Sequence, residues 1–212
     1  MAMQIDHLDP ATTAVLVIDM QNDFVANGAP METPMGRDLL PRLSKLLGHA
    51  RTTGMTVLYT THAHRANGCD MGPFAEIYPP IENRVGLIDD TPGIEIYPKV
   101  APQGDEVVIK KHRYSAFFGT DLDIILRSKG IKTVVVTGVT TENCCHATAR
   151  DAMFHCYKVA FISDATGTYD YPDAGFGPIP AQEVHRVTLG ILAVSTAHVM
   201  TTDEMIAKTA TA

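Results

Sequence analysis

Short, near-continuous apolar runs alternate along this chain with stretches in which leucine or isoleucine recurs every three or four residues. An apolar run of five or six residues marks a strand buried on both faces, and a 3.6-residue period marks a helix laid against such a strand. Thr13 to Asp19 (TAVLVID) reads as the first buried strand. Arg37 to Thr53 follows as a helix, with Leu39, Leu40, Leu43, Leu46 and Leu47 at helical spacing and Gly54 as its C-cap. Met55 to Thr61 gives a second strand, Glu106 to Lys110 a third and Lys132 to Thr137 a fourth. Between the last two lies a helix over Asp121 to Ser128, with Thr120 as N-cap and Gly130 as its stop. A helix over Glu142 to His155, a strand over Lys158 to Ile162, a helix over Ala181 to Ala193 and a short strand over Ala197 to Met200 complete the pattern.

Such alternation predicts an α/β fold: a three-layer, doubly wound, mostly parallel sheet of about six strands with helices on both faces. The 212 residues read as one domain, long enough to bury a core without disulfide or metal support. Two segments break the rhythm. Residues 62 to 106 are rich in Pro and Gly without periodicity, a length of irregular chain more often functional than idle. Thr168 to Pro180 (TYDYPDAGFGPIP) is long for a strand-to-helix connection, and a substrate lid, an intersubunit arm and a plain surface loop are all open for it.

Charge and composition narrow the partners. Seventeen Lys and Arg against 24 Asp and Glu give a net charge of −7 with no basic run, which argues against nucleic acid. The longest apolar runs are strand-sized, far short of the roughly 20 residues of a membrane helix, and the first residues lack the charged and apolar regions of a signal peptide. Four cysteines at irregular spacing, Cys69, Cys144, Cys145 and Cys156, form neither a disulfide framework nor a CxxC zinc site. They fit free thiols in a reducing cytoplasm.

Ligands of a doubly wound sheet bind outside the carboxyl ends of its strands. Asp19, Lys111 and Cys144 all fall at or just beyond such ends. Asp19 closes a buried apolar run, where a carboxylate is costly without a partner. Lys111 directly follows a strand, where a snorkelling surface lysine is the bland alternative. Cys144 lies between a strand and a helix; with Thr141 as N-cap it is the third helical residue, where the free N–H groups and the helix dipole should lower the titration of its thiol. Cys145, one step round the helix, is expected to be a small core residue. Nucleophile, acid/base and cation together make a chemical unit.

The strings Val17-Ile18-Asp19-Met20-Gln21-Asn22-Asp23-Phe24, Lys111 to Thr120, and Gly138-Val139-Thr140-Thr141 through Cys144 to Ala152 resemble the three signature segments of the isochorismatase-like cysteine hydrolases. The resemblance runs in order over roughly Thr13 to Ala165. It implies an Asp19, Lys111, Cys144 catalytic triad, a cis peptide between Val139 and Thr140, and an oxyanion hole formed by the backbone N–H groups of Thr140 and Cys144. It also implies a homo-oligomer, dimer or tetramer. The segment from Lys111 to Leu122 is closer to the ureido and carbamoyl amidohydrolases than to nicotinamidases, so the implied substrate is a small amide or ureido compound cleaved at C–N through a Cys144 thioester. Gln21, Asp23, Tyr114 and Phe118 are the candidates to line the pocket. Nicotinamidases of this superfamily hold a metal with an Asp and two His near the second strand. Here that region reads Thr60-Thr61-His62-Ala63-His64-Arg65, with no Asp in place, so no metal or other cofactor is expected and His62 and His64 read as surface or substrate-contacting residues. A vinyl-ether hydrolase of the founding isochorismatase type, a nicotinamidase, and a non-enzymatic redox or binding domain remain the alternatives.

Overall fold

The computed structural model describes residues 3–209. Six strands, β1 (Thr13–Ile18), β2 (Thr56–His62), β3 (Val107–Lys111), β4 (Thr133–Val139), β5 (Lys158–Gly167) and β6 (His198–Met200), form one sheet in the order β3-β2-β1-β4-β5-β6. Every pairing is parallel. The helices that cover it are α1 (Leu40–Thr53), α2 (Leu122–Ser128), α3 (His146–Phe154), α4 (Ala181–Ser195) and α5 (Thr202–Lys208).

The alternation of side chains along β1 divides the core in two. Val15 and Val17 pack on one face with Leu43, Leu46 and Leu47 of α1 and Met205 of α5. Ala14, Leu16 and Ile18 pack on the other with Leu122 and Leu126 of α2, Ala149 of α3 and Leu192 of α4. Each fully buried leucine contributes about 1.5–3 kcal/mol, so the leucine period read from the sequence is what holds the layers together.

Several boundaries differ from the sequence expectation for identifiable reasons. The helix expected from Arg37 is broken at Leu39 into a turn, Pro34–Asp38, and α1, because Pro41 has no N–H to give to the Arg37 carbonyl. β5 runs on to Gly167, with its polar residues Ser163 and Asp164 satisfied by the Met200 carbonyl and by Thr202. α5 was not expected, although its start carries the Thr201-x-x-Glu204 signature and forms the reciprocal capping box. Gly54 does close α1 in the left-handed conformation.

The chain leaves β1 for β2 and β3 on one side, then returns to β4 on the other. The carboxyl ends of β1 and β4 therefore border a crevice, which residues 63–106 cover with loops and four-residue helical turns. Among the described residues no helix is long and apolar enough to cross a membrane.

Candidate active site

Asp19 leaves β1 with a positive φ of 49°. Its N–H donates to the Thr60 carbonyl at 3.2 Å and to the Thr60 hydroxyl at 3.1 Å, and that hydroxyl in turn donates to Asp19 Oδ1 at 2.6 Å. Lys111, the last residue of β3, reaches past His62 at the end of β2. Its Nζ lies 2.7 Å from Asp19 Oδ2, 3.3 Å from Cys144 Sγ and 3.0 Å from the Arg113 carbonyl. Three strand ends thus deliver one carboxylate, one ammonium and one thiol to a single buried point.

Cys144 arrives differently from the expectation. Thr141 is not an N-cap: residues Thr141–Cys145 form a π-helical turn before α3, with Thr140 at its start. The Thr141 hydroxyl instead pairs with His185 Nδ1 of α4 at 2.8 Å, while His185 Nε2 donates to the Ser163 carbonyl at 3.0 Å. Cys145 is wholly buried among the aliphatic residues of the second core, with its thiol 3.7 Å from the Thr137 carbonyl, in keeping with a core role. The Val139–Thr140 peptide is cis.

The low-titrating thiol is also corrected. Burial pushes the Cys144 thiol well above the usual range, the Lys111 ammonium pulls it down and the Asp19 carboxylate opposes ionisation. The resting group is the thiol, which needs a base. Burial pulls the Lys111 ammonium down, but Asp19 and the sulfur outweigh it and leave its pKa raised. Burial, with Lys111 nearby, holds the His62 imidazole well below its ordinary value, so that ring is neutral.

Above Cys144 lies a small cavity of about 30 Å³ bordered by Phe24, His62, Tyr78, Tyr114, Asn143 and Tyr169, among others. Of the four pocket residues expected from sequence, Tyr114 is there. Phe118 is 65% exposed on the surface and does not border the cavity, because its place in the loop after β3 turns it to solvent. Gln21 is buried but spends its amide on the backbone of His62, accepting from its N–H at 2.8 Å and donating to its carbonyl at 3.1 Å. Asp23 is buried beneath the covering loops, where it accepts the Leu87 N–H at 2.6 Å; burial raises its pKa against that bond. Neither lines the cavity. His62 and His64 are both buried, which removes a surface role. Sequence reasoning missed Tyr78, Asn143, Tyr169, Thr60 and His185. The Pro- and Gly-rich lengths carrying Tyr78 and Tyr169 were the available signal for two of them.

Two groups of His, Asp and Cys side chains lie close enough together to hold a metal ion. One ring nitrogen of His62 lies within 4.8 Å of Asp19 and Cys144, but the Lys111 ammonium already contacts both. His64, Asp70 and His112 form a second group, in which Asp70 accepts from the Arg65 backbone at 3.0 Å and His112 Nδ1 donates to the Ala63 carbonyl at 2.6 Å. Asp70 and His112 are engaged by the protein in this way, whereas the buried His64 Nδ1, 3.7 Å from Asp70 Oδ1, has no hydrogen-bond partner among the described residues.

Comparison with known families matches residues 13–204 to the isochorismatase domain. This chain belongs to the isochorismatase family. Within the family it is similar to a cysteine hydrolase from Pseudomonas syringae pv. phaseolicola 1448A, at 36% identity and a TM-score of 0.93, over 98% of this chain and 96% of that one. It is 31% identical to nicotinamidase 3 of Arabidopsis thaliana over 91% of this chain and 86% of the relative. It is 34% identical to the N-carbamoylsarcosine amidase of an Arthrobacter species, over 73% of this chain and 59% of that protein.

Proposed function

We propose that this isochorismatase-family chain is a cysteine hydrolase that cleaves a C–N bond of a small amide, ureido or carbamoyl compound through a thioester on Cys144. The observation that carries the reading is the position of Lys111 Nζ, 2.7 Å from Asp19 and 3.3 Å from the Sγ of Cys144, a residue that borders the cavity. Relatives named as a nicotinamidase and an N-carbamoylsarcosine amidase support C–N cleavage.

In this mechanism Asp19 takes the thiol proton and the thiolate attacks the amide carbonyl, forming a C–S bond. The backbone N–H groups of Thr140 and Cys144 receive the developing oxyanion. Collapse breaks the C–N bond as Asp19 returns its proton to the departing nitrogen. Water then adds to the thioester, gives its proton to Asp19, and the acid leaves as the C–S bond breaks and the thiolate is reprotonated. Lys111 holds carboxylate and sulfur in register and offsets their negative charge.

Ammonia release from nicotinamide, biuret, ureidoacrylate, maleamate and N-carbamoyl amino acids tests the assignment. Cys144→Ala should lower turnover by about 10⁴-fold or more, and Cys145→Ala should retain most of it. The reverse ranking rules the assignment out.

A further inference from the structure

Three phenol rings converge over Cys144 from three separate segments: Tyr78 from the excursion after β2, Tyr114 from the loop after β3 and Tyr169 from the loop after β5. The Tyr78 and Tyr114 hydroxyl oxygens are 2.9 Å apart. Each ring is braced. Tyr78 stacks on Phe74 with centroids 6.0 Å apart, and Tyr114 meets the same ring edge-on at 4.9 Å. Tyr169 lies 5.2 Å from Tyr171, whose hydroxyl donates to Glu142 at 2.9 Å and accepts from Asn143 at 3.2 Å. A hydroxyl fixed in this way is a preformed hydrogen-bonding group, with little entropy left to lose when a ligand binds.

The charge around the cavity is as informative as its shape. Among the described residues that border it, none is a lysine or an arginine. The nearest ammonium, Lys111, is already held by Asp19 and Cys144. Behind Tyr171 stands the Glu142 carboxylate, with its Oε2 buried and without a hydrogen-bond partner. A ligand carboxylate placed among the phenols would lose its water, find no lysine or arginine on the cavity wall, with the Arg113 guanidinium spent over the Phe74 ring at 5.5 Å, and face a second negative charge. An uncharged carbonyl, amide or ring nitrogen would find donors and acceptors there. Burial pushes Tyr78 up to about 12 and also raises Tyr114 and Tyr169, so the hydroxyls keep their protons near neutral pH.

We infer that Tyr78, Tyr114 and Tyr169 determine specificity by reading the far end of the substrate. The substrate is then an uncharged amide that carries a second neutral hydrogen-bonding group, in preference to a carboxylate-bearing carbamoyl compound. The inference rests on Cys144 being the reacting thiol.

Two reagents of nearly the same size test it, iodoacetamide and iodoacetate, which both alkylate a thiolate with loss of iodide and differ in carrying an amide or a carboxylate. The rates at Cys144 and at exposed Cys69 in the same protein are read by mass spectrometry of the two peptides, so Cys69 supplies the reagents' intrinsic preference. The amide reagent should be favoured at Cys144 by at least about tenfold beyond its preference at Cys69, and Tyr114→Phe should shrink that margin about threefold or more, the size of one neutral hydrogen bond. Equal or faster reaction with iodoacetate at Cys144 overturns the inference and leaves the thiol chemistry standing. A Cys144→Ala variant that keeps its turnover overturns the thiol chemistry, and the inference falls with it. Turnover gives the same choice: malonamide over malonamate, and biuret over N-carbamoylglycine, with the opposite preference counting against it.

Discussion

The Lys111 ammonium and the Asp19 carboxylate meet at 2.7 Å with both side chains wholly buried, although their strands are separated by β2. Each removes the isolated charge the other would otherwise leave in the interior, so the pair ties structure to chemistry.

Breaking that pair should cost stability as well as activity. Lys111→Met leaves the Asp19 carboxylate uncompensated, and the expected loss is about 3–5 kcal/mol in urea unfolding. The Asp19→Asn, Lys111→Met double variant should recover much of it while remaining inactive. Full additivity of the two single changes would show the residues to be energetically independent.

Gln21 completes the ladder between β1 and β2 with its side chain, occupying both the N–H and the carbonyl of His62. Gln21→Leu leaves two buried backbone groups unsatisfied, at about 1–3 kcal/mol each. The midpoint of denaturation should fall accordingly, and hydrogen exchange at the His62 amide should quicken.

Phe118 and Tyr114 are four residues apart and should behave in opposite ways. Phe118 is solvent-facing, so Phe118→Ser is expected to change stability by less than about 0.5 kcal/mol and to leave KM unaltered. Tyr114→Phe should raise KM for the preferred amide more than it lowers kcat.

Gly138 carries a φ of 106°, and a Cβ there would collide with the Ile18 backbone. Gly138→Ala therefore strains the contact between β1 and β4 beside the cis peptide. Little soluble protein, or a fall in Tm of several degrees, is the expected result. An unchanged Tm would contradict the close approach.

Burial holds four imidazoles below their ordinary value: His62, His64, His146 and His185. The unfolded chain takes up their protons near pH 6.5, before the folded one does. Stability is therefore complete above about pH 6.5 and declines as the pH falls below it, with each such imidazole adding up to about 1.4 kcal/mol per pH unit. Urea midpoints between pH 7.5 and 5 measure the slope. His185→Gln should flatten it, whereas a midpoint that rises on acidification would reverse the sign.

The strands were legible because β1 and β4 are buried on both faces and so are written as unbroken apolar runs. The three site residues were legible because a parallel sheet fixes where its ligands bind, and Asp19, Lys111 and Cys144 lie at or just past its strand ends. The break before α1 lay in a single residue, Pro41, within an otherwise convincing leucine period. The far half of β5 was hidden because Ser163 and Asp164 meet their partners on β6 and α5, tens of residues away. The protonation state of Cys144 was misjudged from a local feature, the start of a helix, when burial by the whole fold outweighs it.

By itself the sequence determined the layers, the parallel sheet and the chemical types at its carboxyl edge, because strand burial and helix period are recorded in local residue order. Which aromatic rings face the thiol was decided only by tertiary structure. Tyr78, Tyr114 and Tyr169 come together through loops whose paths depend on long-range contacts, whereas Phe118, another aromatic residue in the same loop as Tyr114, turns outward. Local pattern carries the scaffold, and convergence of distant segments builds the pocket.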